Sequence, residues 1–256
     1  NPTEAGRKIQ EFVDILSNWY VRRSRRRFWK SENDEDKIAA YYTLYNCLVT
    51  IAKLIAPFTP FISEAIYQNL VASCVPDAEE SVHLSEYPIH NPSVVDKDLS
   101  EAIRLAMLIS SLGRSARSKT GIKVRQPLAK VMVKLRDSRE VKLLNEVSDQ
   151  IKEELNVKEL VIMESENEVL DFSVRINQAI AGSKYGSKLS EISLALSEAD
   201  SNSVVLRARA GLKVQISEYE LQPEEITIST TDKNGYTSTS ESGYTVAIDT
   251  QLTDVL

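Results

Sequence analysis

The amino-acid sequence predicts an α+β protein, in which an N-terminal all-α helical bundle is followed by a small α/β module and a C-terminal α+β module. Two observations support this fold class. In the first half of the chain, apolar residues recur at helical spacing, which is typical of amphipathic helices. After Pro127 the period changes, and short runs rich in valine and isoleucine indicate strands. We expect domain limits at 1–126, 127–180 and 181–256, with an extended connector at 75–96.

The bundle is predicted to contain helices over 2–29, 34–55, 60–73 and 98–118. Asn1 and Pro2 fit a helix start, since asparagine is a favoured cap and proline is favoured at the first helical position. Asp98 and Glu101 form a capping-box pattern at the fourth helix, which Gly121 ends. The residues expected to face the core are Ile9, Phe12, Val13, Leu16 and Tyr20, then Ile38, Tyr41, Tyr42, Tyr45, Leu48, Ala52 and Ile55, and then Phe61, Ala65, Ile66 and Leu70.

The second half alternates between strand and helix patterns. The predicted strands are 131–135, 160–163, 214–217, 226–230 and 244–248, and the predicted helices are 140–156, 184–198 and 203–209. Asn234 and Gly235 predict a turn inside a stretch rich in serine and threonine, which we expect to be mobile.

The charge of the chain is unevenly distributed. A net charge of −6 is unfavourable for nucleic-acid binding, but the segment 102–136 has nine basic residues and no acidic one. The segment 137–175 has eleven acidic residues against five basic ones. Along the chain, a basic surface followed by an acidic one is therefore expected. The nine basic residues are Arg104, Arg114, Arg117, Lys119, Lys123, Arg125, Lys130, Lys134 and Arg136.

Cellular location and metal content are predicted from what the sequence lacks. No run of eighteen apolar residues and no secretory signal pattern is found, so a cytoplasmic protein is expected, without a membrane segment. Cys47 and Cys74 are isolated from each other, which predicts reduced thiols and no metal site.

The most informative stretch is LSNWYVRRSRRRFW at 16–29, where five arginines lie between aromatic clusters. Arginine binds phosphate in a bidentate manner and aromatic rings stack on unpaired bases, so this composition suits a structured RNA. A solvated basic face is the alternative. By helical angle, Arg23 and Arg27 continue the apolar stripe, which predicts partly buried charges paired with carboxylates. The residues predicted to contact RNA are Arg22, Arg25, Arg26, Trp29 and Lys30.

The arginine-rich stretch resembles the anticodon-binding helical domain of isoleucyl-tRNA synthetases, in particular their archaeal and eukaryotic-like branch. The segment 54–67, LIAPFTPFISEAIY, is similar to a helix junction of the isoleucyl, valyl and leucyl enzymes. The segments 81–88 and 113–128 resemble the family's connector and a motif of the isoleucyl enzymes. The motifs ELNVK at 154–158 and KYGSK at 184–188 resemble the family's more divergent C-terminal region.

The resemblance implies a bundle of the anticodon-binding type, truncated at its start, within a larger isoleucine-tRNA ligase. The intact enzyme would use ATP and Mg²⁺ in a catalytic domain that is absent here, so this part is expected to hold no cofactor and no catalytic residue. Its partner would be the isoleucine tRNA. A second set of phosphate contacts is expected from Arg114, Arg117, Lys119, Lys123 and Arg125, although some of them could merely solvate the α/β module.

The start of the bundle carries a further expectation, and two other functions remain as alternatives. A missing first helix would leave the face around Phe12, Leu16 and Tyr20 uncovered, which predicts self-association or an unusual rearrangement of the helices. One alternative is a stand-alone helical scaffold or protein-interaction module, with a basic run that resembles a localisation signal. The other is an independent hydrolase, which the lack of any nucleophile or paired-carboxylate pattern disfavours.

Overall fold

The computed structural model describes residues 1–29 and 34–251. Its contacts divide the chain into two compact units, Asn1–Val95 and Asp96–Leu256. As limits of functional domains, the boundaries predicted from the sequence at 126 and 180 stay a prediction.

The first unit is helical, as the sequence predicts. Its helices are α1 (Pro2–Ile15), α2 (Arg22–Phe28), α3 (Glu35–Ile55) and α4 (Pro60–Tyr67), with π-helical segments at Leu16–Val21 and Gln68–Ala72. The predicted cap is confirmed, because the Asn1 side chain accepts a hydrogen bond from the Thr3 amide at 3.1 Å. By length and composition alone α3 is long and apolar enough to cross a membrane, a test that core helices of soluble proteins and signal sequences also pass.

The buried face of this unit differs from the predicted one. Helix α1 buries none of its residues, and the contact face of α3 is formed by Ala40, Ile51 and Ala52. Of the residues expected to face the core, Leu16 and Ala52 are buried. The exposed ones include Phe12, Val13, Ile38, Tyr41, Tyr42 and Phe61. An apolar stripe shows which side of a helix is hydrophobic, but not whether a neighbour covers it. Self-association through the Phe12 face stays a prediction, which sedimentation at several concentrations would test.

The connector after α4 is held by one carboxylate. The Ser81 hydroxyl and the Val82 amide donate to Glu64 Oε2 at 2.8 and 3.0 Å. A hydrogen bond from Gln68, followed by these two, lowers the pKa of Glu64. Val82 is buried against Tyr67. The segments 54–67 and 81–88, which the sequence singles out separately, therefore meet at Glu64.

The second unit begins with α5 (Lys97–Thr120), which starts earlier than predicted. The predicted capping box of Asp98 and Glu101 is wrong, because the cap is Asp96, whose carboxylate accepts from the Leu99 amide at 2.9 Å. The predicted end is confirmed, since Gly121 has the left-handed conformation with φ 71°.

The remaining elements form three sheets with flanking helices. They are β1 (Leu128–Lys134), α6 (Glu140–Glu146), α7 (Ser148–Leu155), β2 (Val157–Ile162), β3 (Leu170–Ile176), α8 (Gln178–Tyr185), α9 (Leu189–Glu198), α10 (Ser201–Arg209), β4 (Val214–Ile216), β5 (Tyr219–Leu221), β6 (Ile226–Asp232), β7 (Tyr236–Glu241) and β8 (Tyr244–Asp249). The largest sheet has the order β2-β1-β8-β7, and the others pair β3 with β6 and β4 with β5.

The predicted α/β unit is confirmed, because β1 and β2 are parallel neighbours joined through α6 and α7. The predicted helix 140–156 is interrupted at Val147, whose φ of −113° leaves the helical region. Strand β8 pairs antiparallel with β1, which joins the segments 127–180 and 181–256 in one sheet. The turn at Gly235 is confirmed, but it leads into the strand β7, which was not predicted from the sequence.

Candidate nucleic-acid interface

The arginine-rich helix end comes directly after the π-helical segment Leu16–Val21. A π-helix closes its hydrogen bonds over five residues, so its wider turn rotates the residues beyond it relative to an α-helical stripe. Beyond this segment the buried position is Ser24, and Arg23 and Arg27 lie half-buried beside it. The helical angles that place Arg23 and Arg27 on the apolar side of the helix are therefore right to within about one residue position.

Arg27 forms an ion pair at the edge of this buried face. Its Nε and Nη2 atoms lie 2.9 and 2.8 Å from Asp36 Oδ1, and Nη2 also donates to the Asp36 carbonyl at 3.1 Å. The hydrogen bond to Asp36 raises the pKa of Arg27. The Asp36 side chain remains 48% exposed, so the pair contributes about 0.2 to 1 kcal/mol, as surface pairs do, rather than the several kcal/mol of a fully buried pair. Arg23 lies 5.3 Å from the centre of the Trp19 ring.

The other three arginines of the helix end are exposed. We call Arg22, Arg25 and Arg26 the arginine face. Arg25 lies 5.3 Å from the centre of the Trp29 ring, and Trp29 itself is 77% exposed. Lys30 lies outside the described residues. The structure thus separates the exposed from the half-buried arginines in the way the helical angles predict, while RNA contact by the exposed ones stays a prediction.

An exposed aromatic surface on α3 was not predicted from the sequence. The Phe28 and Tyr41 rings lie 5.0 Å apart, and the Tyr41 hydroxyl donates to the Phe28 carbonyl at 3.3 Å. Tyr42, the next residue along α3, is 67% exposed. The helical period places these tyrosines among the core residues, and the structure corrects that placement. Their exposure makes them candidates for stacking on unpaired bases.

In the second unit, one arginine of the predicted phosphate contacts is structural. Arg117 is 1% exposed, and burial lowers its pKa. Its guanidinium donates to the carbonyls of Lys123 at 3.1 Å, Gln126 at 3.0 Å, Leu155 at 2.6 Å and Asn156 at 3.2 Å. The assignment of Arg117 to an RNA surface is therefore corrected, because a buried guanidinium occupied by four carbonyls cannot reach a phosphate.

The loop 121–127 is held from both sides, and we call it the clamped loop. Asn156, in the left-handed conformation at the end of α7, donates through Nδ2 to the carbonyls of Val124 at 3.0 Å and Arg125 at 3.1 Å. Together with Arg117 it binds four successive carbonyls, those of 123 to 126. The side chains of Lys123 and Arg125 are exposed.

The remaining basic residues of this set have partners on the protein. Arg114 pairs with Glu154 at 2.9 Å, and the Lys119 ammonium donates to the Ser238 carbonyl at 2.7 Å. Only Lys123 and Arg125 of the set are exposed without an ion pair or hydrogen bond from their side chains, within residues 1–29 and 34–251. RNA contact by Arg114, Lys119, Lys123 and Arg125 stays a prediction, and Lys123 and Arg125 are the two whose side chains have no such partner on the described part of the protein.

Comparison with known protein families gives a decisive match. The family model described as the anticodon-binding domain of tRNA ligase matches residues 1–133. The chain belongs to this family. The match includes the arginine face and the clamped loop, so both basic regions lie within the anticodon-binding domain as the family defines it.

Curated relatives agree with this assignment. The chain is 58% identical over 164 residues to an isoleucine-tRNA ligase of Dehalococcoides mccartyi, which covers 64% of the chain and 16% of the relative. It is 39% identical over 260 residues to the isoleucine-tRNA ligase of Thermus thermophilus, covering 100% of the chain and 25% of the relative. It is also 39% identical over 258 residues to the isoleucine-tRNA ligase of Clostridium acetobutylicum, covering 99% of the chain and 24% of the relative. The chain spans a quarter or less of the length of these relatives.

Proposed function

We propose that the chain binds the anticodon stem and loop of an isoleucine tRNA and positions it for ATP-dependent isoleucylation. The observation that carries this proposal is the exposed arginine face beside the Trp29 ring, within the part of the chain that matches the anticodon-binding family. The relatives named isoleucine-tRNA ligase supply the identity of the amino acid. The chemistry with ATP and Mg²⁺ would take place in other parts of the intact, cytoplasmic ligase.

The proposed mechanism divides the work between two kinds of contact. Arginine side chains that bind phosphates through two hydrogen bonds fix the orientation of an RNA stem, but these contacts carry little sequence information. Exposed rings can stack on bases that the anticodon loop leaves unpaired. Trp29, Tyr41 and Tyr42 supply such rings next to the arginine face or on the neighbouring helix. No bond is made or broken by this chain.

One finer assignment has no such support, and one alternative function is disfavoured. The relatives are bacterial, so they give no support to the archaeal and eukaryotic-like branch suggested by the arginine-rich helix end. The alternative of a helical scaffold predicts no preference for tRNA, and the family match disfavours it.

Replacing Arg22, Arg25 and Arg26 together with alanine is expected to weaken tRNA binding with little loss of stability, because all three are exposed. Removing one phosphate-binding arginine should also reduce the salt slope of log affinity by roughly 0.7 to 0.9. The measurement is a titration of isoleucine tRNA by fluorescence anisotropy at several salt concentrations.

The control is Arg27→Ala, which removes one arginine charge from a side chain already paired with Asp36, so its change in salt slope is compared with one third of the change in the triple variant. Its expected effect is a loss of about 0.2 to 1 kcal/mol of unfolding free energy, with a smaller change in the salt slope. An unchanged salt slope in the triple variant would contradict the assignment of the arginine face, and binding no tighter than that of an unrelated RNA would favour the scaffold.

Replacing Tyr42 with alanine is expected to weaken binding of the tRNA by about 1 to 3 kcal/mol if its ring stacks on one base. Because the ring is largely exposed, the melting temperature should change little. Phe61→Ala is the control, since it removes a ring that is 90% exposed from α4. Equal affinities of the two variants would exclude a specific role for Tyr42.

A further inference from the structure

The clamped loop joins two motifs that lie far apart in the sequence. Arg117 comes from the end of α5, whereas Asn156 comes just after α7, and the two side chains bind carbonyls of the same four-residue turn. The Gln126 amide closes that turn on the Lys123 carbonyl at 2.9 Å. All four carbonyls of the turn therefore accept hydrogen bonds from Arg117 or Asn156, while the side chains of Lys123 and Arg125 are exposed.

We propose that Lys123 and Arg125 bind phosphates of the RNA backbone, and that Asn156 and Arg117 are positioning residues that hold the loop in its binding conformation. This inference rests on the proposed function, from which it takes the RNA. It adds a binding element in the second unit, separate from the arginine face, and assigns a role to two residues that touch no RNA.

The conformation of Asn156 is one argument for a specific purpose. Its φ of 49° and ψ of 56° lie in the left-handed region, which glycine adopts with the least strain, as Gly121 and Gly211 do at φ 71°. Asparagine therefore contributes something that glycine would not, namely its side-chain amide. That amide donates to both carbonyls at the centre of the loop.

The charge of the loop is a second argument. Lys123 and Arg125 lie in the segment 102–136, which contains no acidic residue, so the field at the loop is not offset by carboxylates of the same segment. A loop ordered before binding loses less conformational freedom when it meets a ligand, which favours affinity. A rigid turn with two exposed cations suits the regularly spaced phosphates of an RNA strand.

The test compares two variants with the intact protein, using isoleucine tRNA as the probe. Lys123→Ala combined with Arg125→Ala should weaken binding and lower the salt slope by roughly 0.7 to 0.9 for each phosphate that the two side chains bind. Asn156→Gly retains the left-handed backbone and every charge but removes the two hydrogen bonds that the Asn156 side chain donates to the loop. We expect it to weaken binding by about 3- to 10-fold with an unchanged salt slope.

Ser217→Gly is the matched control for Asn156→Gly, because Ser217 also has a left-handed backbone, with φ 52°, in the turn between β4 and β5. It should leave the affinity unchanged. Adding Asn156→Gly to the Lys123 and Arg125 variant should cause little further loss, since the clamp acts through those two side chains. A purely structural effect of Asn156 would instead persist in full in that background, which would overturn its positioning role.

The outcomes separate this inference from the proposed function. If the arginine-face variant loses affinity while the Lys123 and Arg125 variant does not, the loop proposal is wrong and the proposed function stands. If the unmodified protein does not bind tRNA, both fail. If the loop variant alters binding of poly-glutamate but not of tRNA, the loop proposal is overturned in favour of an acidic protein partner.

Discussion

Replacing Arg117 with methionine should destabilise the second unit by at least about 1 to 3 kcal/mol, because it takes the hydrogen-bond donor from the buried Leu155 carbonyl. Methionine fills similar space but donates no hydrogen bond. The Leu155 carbonyl would lose its donor in a buried environment, whereas the carbonyls of Lys123 and Gln126 are partly exposed and the Lys123 carbonyl keeps the Gln126 amide. Each buried acceptor without a donor costs about 1 to 3 kcal/mol, so a small total is not expected. Urea unfolding of the intact protein would measure it.

The control for this prediction is Arg125→Met, which makes the same chemical change on an exposed side chain of the clamped loop. Exposed substitutions usually change stability by less than about 0.5 kcal/mol. Arg117→Lys should recover only part of the loss, since one ammonium cannot span acceptors that the planar guanidinium reaches from two nitrogens. A loss of unfolding free energy below about 1 kcal/mol for Arg117→Met would contradict the structural role, because it would be smaller than the cost of even one buried carbonyl without a donor.

The sequence contained the signal for Arg117, although a basic run concealed it. On α5 the buried side includes Ile109, Leu112, Gly113 and Ala116, and Arg117 lies one turn after Gly113 on that same side. Helical angle would have separated Arg117 from the exposed Lys119, as it separated Arg23 and Arg27 from the arginine face, but both Arg117 and Lys119 were predicted to bind phosphate. The partners of Arg117 could not be predicted, because two of its carbonyl acceptors belong to 155 and 156, almost forty residues further along the chain.

The strands also differ in whether the neighbouring sequence indicates them or whether they depend on residues far along the chain. Strand β3 buries Leu170, Val174 and Ile176. The last two are spaced by two residues, which is a local signal typical of a strand. Strand β7, with the sequence YTSTSE, has little apolar character and owes its conformation to pairing with β8. The antiparallel pairing of β8 with β1 links residues more than a hundred positions apart, so no local pattern could predict it.

The second large effect is expected where α5 crosses α7, at Gly113 and Leu155. A Cβ atom added to Gly113 would lie 2.5 Å from Leu155 Cδ1, and Leu155 is fully buried, so its side chain has little room to move. Gly113→Ala should therefore destabilise the protein through overpacking, which typically costs about 1 to 3 kcal/mol. The better helix propensity of alanine, about 1 kcal/mol, offsets part of this cost.

Leu155→Ala is expected to cost about 2 to 5 kcal/mol, because it leaves a cavity beside α5. The same change removes the atoms that a Cβ at position 113 would meet. In the Leu155→Ala background, Gly113→Ala should therefore become stabilising, since it gains helix propensity and fills part of the cavity. Urea unfolding of the two single variants and the double variant would measure this reversal of sign. Additive losses in the double variant would mean that the two residues do not share the contact, and that glycine at 113 serves another purpose.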